Sequence, residues 1–152
     1  QKLPSVHLAD YPTVDSQWKN EELETVWGQL IKLRGEVMRE LEKLRSDKII
    51  GSSLEGSVTL FTENEELKSL LEQFGESLDD LFVTSKTSLA QSKDGLVQGV
   101  DFSDIYVKAE KTDFKKCQRC WKYTDDVSDS NGFEAVCGRC GEALKEQNFQ
   151  IG

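Results

Sequence analysis

Lys116-Cys117-Gln118-Arg119-Cys120-Trp121-Lys122-Tyr123 and Val136-Cys137-Gly138-Arg139-Cys140 are the stretches on which the reading of this chain turns. They hold all four cysteines of the 152 residues, as two Cys-x-x-Cys pairs with sixteen residues between them. Two residues between thiols let both sulfurs of a pair face one point across a tight turn, and the separation of the pairs falls inside the four-cysteine zinc pattern. Two such turns close a tetrahedron at a Zn–S distance of about 2.3 Å. Gly138 and Gly141 suit the backbone angles such turns require. A tail this short and polar has little core of its own, so its order is expected from the metal, whose binding at such sites is coupled to folding and worth about 10–16 kcal/mol. A closed four-thiolate site has no open coordination position, which argues for a structural ion and against a catalytic one.

Other uses of four thiols stay open at this point. Disulfides are disfavoured in an intracellular chain. A redox Cys-x-x-Cys would stand singly after a strand in a βαβ pattern, which is absent here. Iron in a four-thiolate site fits the same spacing.

Lys115, Lys116, Arg119, Trp121, Lys122, Tyr123 and Arg139 surround the cysteines. Basic and aromatic side chains displayed on a rigid knuckle can pair with phosphates and stack on unpaired bases. The competing reading makes Trp121 the apolar cover of the metal site and leaves the charges solvated.

Working upstream, Ile105-Tyr106-Val107-Lys108-Ala109 alternates cleanly and predicts a strand. Ser92–Gly99 reads as a loop. Leu81–Leu89, rich in β-formers, predicts another strand. Leu67, Leu70, Leu71 and Phe74 line one face of a helix that Gly75 stops, with Thr62 and Glu65 at capping-box spacing before it. Ser57–Phe61 predicts a short strand, and Ile49–Gly56 a helical turn or short second helix ending near Gly56. From Glu21 to Arg45, Leu23, Trp27, Leu30, Val37, Leu41 and Leu44 recur at helical spacing. Acidic residues stand in the first turn of that helix and basic ones near its end. Asp15 or Asn20 is its cap, and Ser5–Pro12 before it reads as extended, Pro12 biasing Tyr11 away from helix. The expected class is α+β, with a long helix leading into a small helix and three-strand unit, followed by a four-cysteine zinc knuckle. The expected segments are 1–50, 51–113 and 114–152.

The net charge of −9 argues against nucleic-acid binding by the free chain, because phosphate contact draws its affinity from Lys and Arg. Residues 1–114 carry 13 basic and 22 acidic side chains, the whole of that excess, whereas residues 115–152 carry six of each. Four metal-bound thiolates against one Zn²⁺ would take the tail to about −2. No apolar run approaches the roughly 18 residues of a membrane span. Gln1-Lys2-Leu3-Pro4 has neither the basic nor the apolar region of a secretory signal, and without an initiator Met it reads as the start of a fragment. A soluble, cytoplasmic, monomeric chain is the expectation, with an organelle of bacterial ancestry as the alternative compartment. Paired acid/base residues and a nucleophile–base set are missing, so no catalytic residue is assigned. His7, the only histidine, reads as a surface or packing residue.

The Cys-x-x-Cys-Trp-Lys-Tyr and Cys-Gly-Arg-Cys stretches resemble the C-terminal zinc finger of bacterial-type isoleucyl-tRNA synthetases. Ser5-Val6-His7-Leu8 with Tyr11-Pro12 is similar to the same family. So are Leu33-Arg34 with Val37, Leu41-Glu42 and Arg45, and Lys48-Ile49-Ile50-Gly51-Ser52-Ser53-Leu54-Glu55 with Val58 and Leu60, in the same order. The resemblance implies a class I ligase that activates isoleucine with ATP and esterifies it to tRNA-Ile. It places the long helix at the end of the anticodon-binding bundle and the zinc tail against the anticodon stem-loop, with the remainder of the synthetase as the other partner. It makes Cys117, Cys120, Cys137 and Cys140 the zinc ligands. Arg119, Trp121, Lys122 and Arg139, with Lys115 and Lys116, become the RNA-facing candidates. The sequence departs from the pattern at Gly56, where a helix-favouring residue such as Ala is expected, and in its short, acidic tail after Gly141. The family's His-Ile-Gly-His stretch is absent, and Ser85-Lys86-Thr87-Ser88 matches its Lys-Met-Ser-Lys-Ser loop only superficially, so the chain alone is expected to be inactive. A zinc-braced acidic module for protein interaction is the alternative function.

Overall fold

The computed structural model describes residues 5–11, 13–130 and 133–146. The chain divides into two units, 1–30 and 31–152, and helix α1 (Glu21–Ser46) runs through the boundary.

In the first unit, Asp15 caps a 3₁₀ turn at Ser16–Trp18 by accepting the Gln17 N–H at 2.9 Å. Asn20 caps α1 by accepting the Leu23 N–H at 3.0 Å. Both candidate caps are used, each on its own element. Val6–Leu8 forms a 3₁₀ turn, correcting the extended reading of Ser5–Pro12: the Leu8 N–H closes back on the Ser5 carbonyl at 3.2 Å. His7 is exposed. Pro12, on which part of that reading rested, lies outside the described residues.

The second unit is built on a four-stranded sheet. Its strands are β1 (Gly56–Phe61), β2 (Lys86–Leu89), β3 (Val97–Gln98) and β4 (Tyr106–Lys111), in the order β2-β1-β4-β3. β1 pairs parallel with β2, and β4 pairs antiparallel with β1 and β3. Helices α2 (Glu65–Phe74) and α3 (Ser77–Phe82) make the crossover that a parallel β1–β2 pair demands. Val58 and Leu60 point from one face of β1 into a core with Val107, Ile105, Leu67, Leu71, Leu78 and Phe82. Leu33, Val37 and Leu41 of α1 close it.

Several sequence expectations are corrected here. Leu81 and Phe82 belong to a helix, because Leu78 and Phe82, four apart, bury one face of a single helical turn and a half. The strand begins only at Lys86. Val83 ends α3 in the left-handed region at φ 56°, its N–H donating to the Asp79 and Asp80 carbonyls. A fourth strand, Val97–Gln98, replaces part of the expected loop because it pairs antiparallel with Val107 and Tyr106 of the next strand. Asn64, not Thr62, caps α2, accepting the N–H groups of Glu66 and Leu67. Thr62 is buried and donates instead to the Asp104 carbonyl at 2.6 Å. Gly75 does stop α2, at φ 45°.

Gly56 opens β1 after a 3₁₀ turn at Ser53–Glu55, so a helix former is not what the position requires. A Cβ there would stand 2.6 Å from Leu41 Cδ2, inside the packed core. Glu36 is only 3% exposed. Its carboxylate accepts the N–H groups of Val100, Asp101 and Phe102 at 3.0, 2.7 and 3.0 Å, fastening the β3–β4 connection to α1. None of the helices among the described residues is long and apolar enough to cross a membrane.

Candidate metal centre

The cysteines are positioned by two small hairpins and one helix. β5 (Lys115–Lys116) pairs antiparallel with β6 (Tyr123–Thr124), and the first Cys-x-x-Cys forms the turn between them. The Cys117 N–H donates to the Lys122 carbonyl at 2.8 Å, and the Trp121 N–H to the Cys117 carbonyl at 2.9 Å. β7 (Ser128–Ser130) pairs irregularly with β8 (Phe133–Val136), which delivers Cys137 to the start of α4 (Gly138–Glu146). Cys140 lies on the first turn of that helix. The Gln118 N–H donates to the Ala135 carbonyl at 2.9 Å and joins the two hairpins.

The turn angles come from residues other than those the sequence suggested. Trp121 (φ 67°) and Ala135 (φ 50°) take the positive φ values, whereas Gly138 and Gly141 are helical. What Gly138 provides is room. Asp126 Oδ2 accepts its N–H at 2.8 Å, and a Cβ on this residue would meet the same oxygen.

All four Sγ atoms lie within 4.8 Å of one another. The Cys120 and Cys137 sulfurs are 3.8 Å apart. A tetrahedral ion about 2.3 Å from each sulfur sets its ligands about 3.8 Å apart, so the donor set fits zinc. Cys117, Cys137 and Cys140 are buried and Cys120 half-buried. Val136 and Leu144 are buried beside them, with Val127 and Phe133 packed on. This apolar cluster is separate from the sheet core, and α4, which the sequence reading left as a short acidic tail, contributes Leu144 to it.

Donors converge on the sulfurs. Burial pushes the Cys117 thiol up, but backbone N–H groups of Cys120, Cys137 and Arg119 outweigh it and bring the thiol down to about 6. The Cys137 N–H stands 3.3 Å from Cys117 Sγ. Burial pushes Cys137 up to about 12 and raises Cys120 as well. A metal removes this disparity, since it binds thiolates and displaces the remaining protons.

The six basic and aromatic candidates do gather around the centre, in two groups. Arg119 Nη1 donates to Cys140 Sγ at 3.6 Å. Arg139 lines a cleft with Cys120 and Cys137, and the neighbouring Cys120 raises its guanidinium above the ordinary value. Lys122 Nζ reaches Asp80 Oδ1 on α3, and the Tyr123 N–H donates to Ser85 Oγ at 2.9 Å. The Lys122–Asp80 contact borders the same polar cleft, of about 370 Å³ and lined also by Asp79, Asp80, Asp126, Lys122 and Arg139. Lys116 and Trp121 form the other group, with Lys115 the preceding residue of β5. Trp121 is 61% exposed and stands outside the apolar cluster, with Lys116 Nζ 5.1 Å from its ring centroid. Both arginines are exposed, and the bond from Arg119 to Cys140 had no signal in the sequence beyond its place within the Cys-x-x-Cys pair.

Residues 114–143 match the family described as a zinc finger found in FPG and IleRS. Beyond the finger, the chain is 38% identical over 147 residues to the isoleucine–tRNA ligase of Brachyspira hyodysenteriae, covering 95% of this chain and 16% of that protein. The enzyme of the same name from Fervidobacterium nodosum is 35% identical over the same shares of both chains. That of Histophilus somni is 38% identical over 84% of this chain and 13% of its own length. The chain thus spans about one-sixth of the curated relatives it matches.

Proposed function

Because the chain belongs to the isoleucine–tRNA ligase family along 95% of its length, we propose that it is the tRNA-contacting C-terminal part of such a ligase. In this reading a structural zinc domain helps place the anticodon stem-loop of tRNA-Ile while the remainder of the enzyme performs ATP-dependent aminoacylation. The segments follow as 1–50, the end of the helical anticodon-binding region; 51–113, a junction; and 114–152, the zinc domain. Cys117, Cys120, Cys137 and Cys140 hold the ion, which when bound supplies the cross-link that orders the knuckle. The chain acts as a monomer in the cytoplasm and has no activity by itself.

The observation that carries the reading is the exposed Trp121 with Lys116 over its ring, on a turn that Cys117 and Cys120 anchor. An aromatic face for a base and an ammonium beside it for a phosphate are what single-stranded RNA requires. Lys115 and Lys116 carry the phosphate contact, Arg119 and Lys122 support the surface through their bonds to Cys140 and Asp80, and Arg139 adds an exposed cation. The excess acidity of residues 1–114 keeps affinity low unless the rest of the ligase contributes.

The test is to titrate the chain with tRNA-Ile and with a generic acidic polymer at two salt concentrations, then add it to a ligase truncated before this region. Salt-dependent preference for the tRNA and recovered charging are expected. Absence of both would overturn the reading. The net charge of −9 favours a second function, an acidic module docking on a protein partner. Binding that is indifferent to tRNA but saturable on another protein would support that alternative.

A further inference from the structure

We propose that Arg119 and Arg139 are the counter-charges of the zinc centre, Arg119 donating to a ligand sulfur and Arg139 standing on the cleft that Cys120 and Cys137 border, so that the four-thiolate site is close to neutral and holds its metal. Four thiolates around one divalent cation leave two negative charges in a half-apolar pocket. Two guanidiniums balance them. Arg119 Nη1 lies 3.6 Å from Cys140 Sγ, and Arg139 lines one cleft with Cys120 and Cys137. One arginine thus comes from each Cys-x-x-Cys pair, and Arg119 reaches a sulfur of the opposite pair.

The sulfurs have different donors: the Cys137 N–H stands 3.3 Å from Cys117 Sγ, and the Arg119 guanidinium serves Cys140. Neither arginine forms an ion pair with a carboxylate among the described residues. Both sit at the second x of their Cys-x-x-Cys turn, where the backbone is fixed by the sulfurs on either side. Outer-shell donors of this kind raise metal affinity by orienting ligands and stabilising their charged form. A guanidinium is well matched to the task, being always charged and weakly hydrated. The inference rests on the zinc reading and not on RNA contact, and metal and RNA readouts separate the two.

The experiment uses the full chain loaded with zinc. Arg119→Met, Arg139→Met and the double variant are challenged with a chromophoric chelator at neutral pH, and zinc transfer is followed at equilibrium and in time. Gln118→Met, on the same turn, is the control, and Arg119→Lys and Arg139→Lys test rescue by charge. Affinity for tRNA-Ile is measured on the same samples. Each Met variant should lose zinc about tenfold more readily, at the lower end of outer-shell effects, with Lys restoring part of the loss and Gln118→Met none of it changed. Cobalt substitution should still give the charge-transfer absorption of four thiolates, showing that the ligands themselves are intact. Zinc transfer identical to the parent chain in the double Met variant would overturn the proposal, most plainly if tRNA affinity fell at the same time. Should the double variant fail to fold, the single Met and Lys pairs decide by the same criterion.

Discussion

Lys122 Nζ lies 2.5 Å from Asp80 Oδ1, so a residue two places beyond a zinc-site cysteine is tied to helix α3 of the sheet unit. The lysine side chain is 25% exposed and the aspartate 72%. With the Tyr123 N–H on Ser85 Oγ, this pair joins the knuckle to the α+β core through polar contacts, while the two apolar clusters stay separate.

Breaking this link tests how the knuckle is held. Lys122→Ala should keep its zinc and lose less than about 1 kcal/mol of stability, because one partner is largely in water. Hydrogen exchange at the Tyr123 amide should accelerate. The pH dependence has a definite sign. The Lys122 ammonium beside it holds the Asp80 carboxyl below its ordinary value. The contribution is therefore present above the unfolded aspartate value, near pH ~4, and fades as pH falls through the lower folded value. Asp80→Asn should abolish that fade at Tyr123.

Glu36 offers a sharper stability test. Replacing it by Ala strips a buried acceptor from the Val100, Asp101 and Phe102 N–H groups. Bonds to charged groups are worth about 1.5–3 kcal/mol each, and donors left unsatisfied cost more than the bond itself. Urea unfolding should show a loss of about 3 kcal/mol or more, with zinc content unchanged.

Gly56→Ala inserts one methyl against Leu41, a core residue only 1% exposed. Overpacking of this kind costs about 1–3 kcal/mol. The midpoint of urea unfolding should fall accordingly. An unchanged midpoint would mean that the Leu41 side chain shifts freely and the packing there is loose.

Cys137→Ser separates the two cores. It should lose zinc and the protection of residues in β5 to α4, while the sheet unit retains its far-UV signal and cooperative transition. Collapse of both together would show that the knuckle stabilises the sheet far more than two polar contacts allow.

Much of this architecture was legible before any coordinates. The four cysteines declare themselves because the chemistry depends on local spacing, and Leu67, Leu70, Leu71 and Phe74 do so because a helix is a local structure. Val97–Gln98 stayed hidden because a two-residue strand exists only through partners on β4. Leu81 and Phe82 misled because β propensity reflects packing, and here Leu78 supplied a helical partner instead. Glu36 was silent for a related reason: a carboxylate in a helix reads as solvent-facing until the β3–β4 connection folds over it. Arg119 and Arg139 read in the sequence as cations near a metal, but the reach of Arg119 to Cys140 depends on how the two halves of the knuckle face each other. Trp121 was left open between cover and platform, and Val136, Leu144, Val127 and Phe133 take the covering role.

The account depends above all on a metal ion closing the two cysteine pairs. Its most direct test is the metal and thiol content of gently purified chain, measured together. One zinc per chain is predicted, with four thiols that react with a disulfide reagent only after a chelator removes the ion. Metal-free protein, or sulfurs already joined to one another, would contradict it.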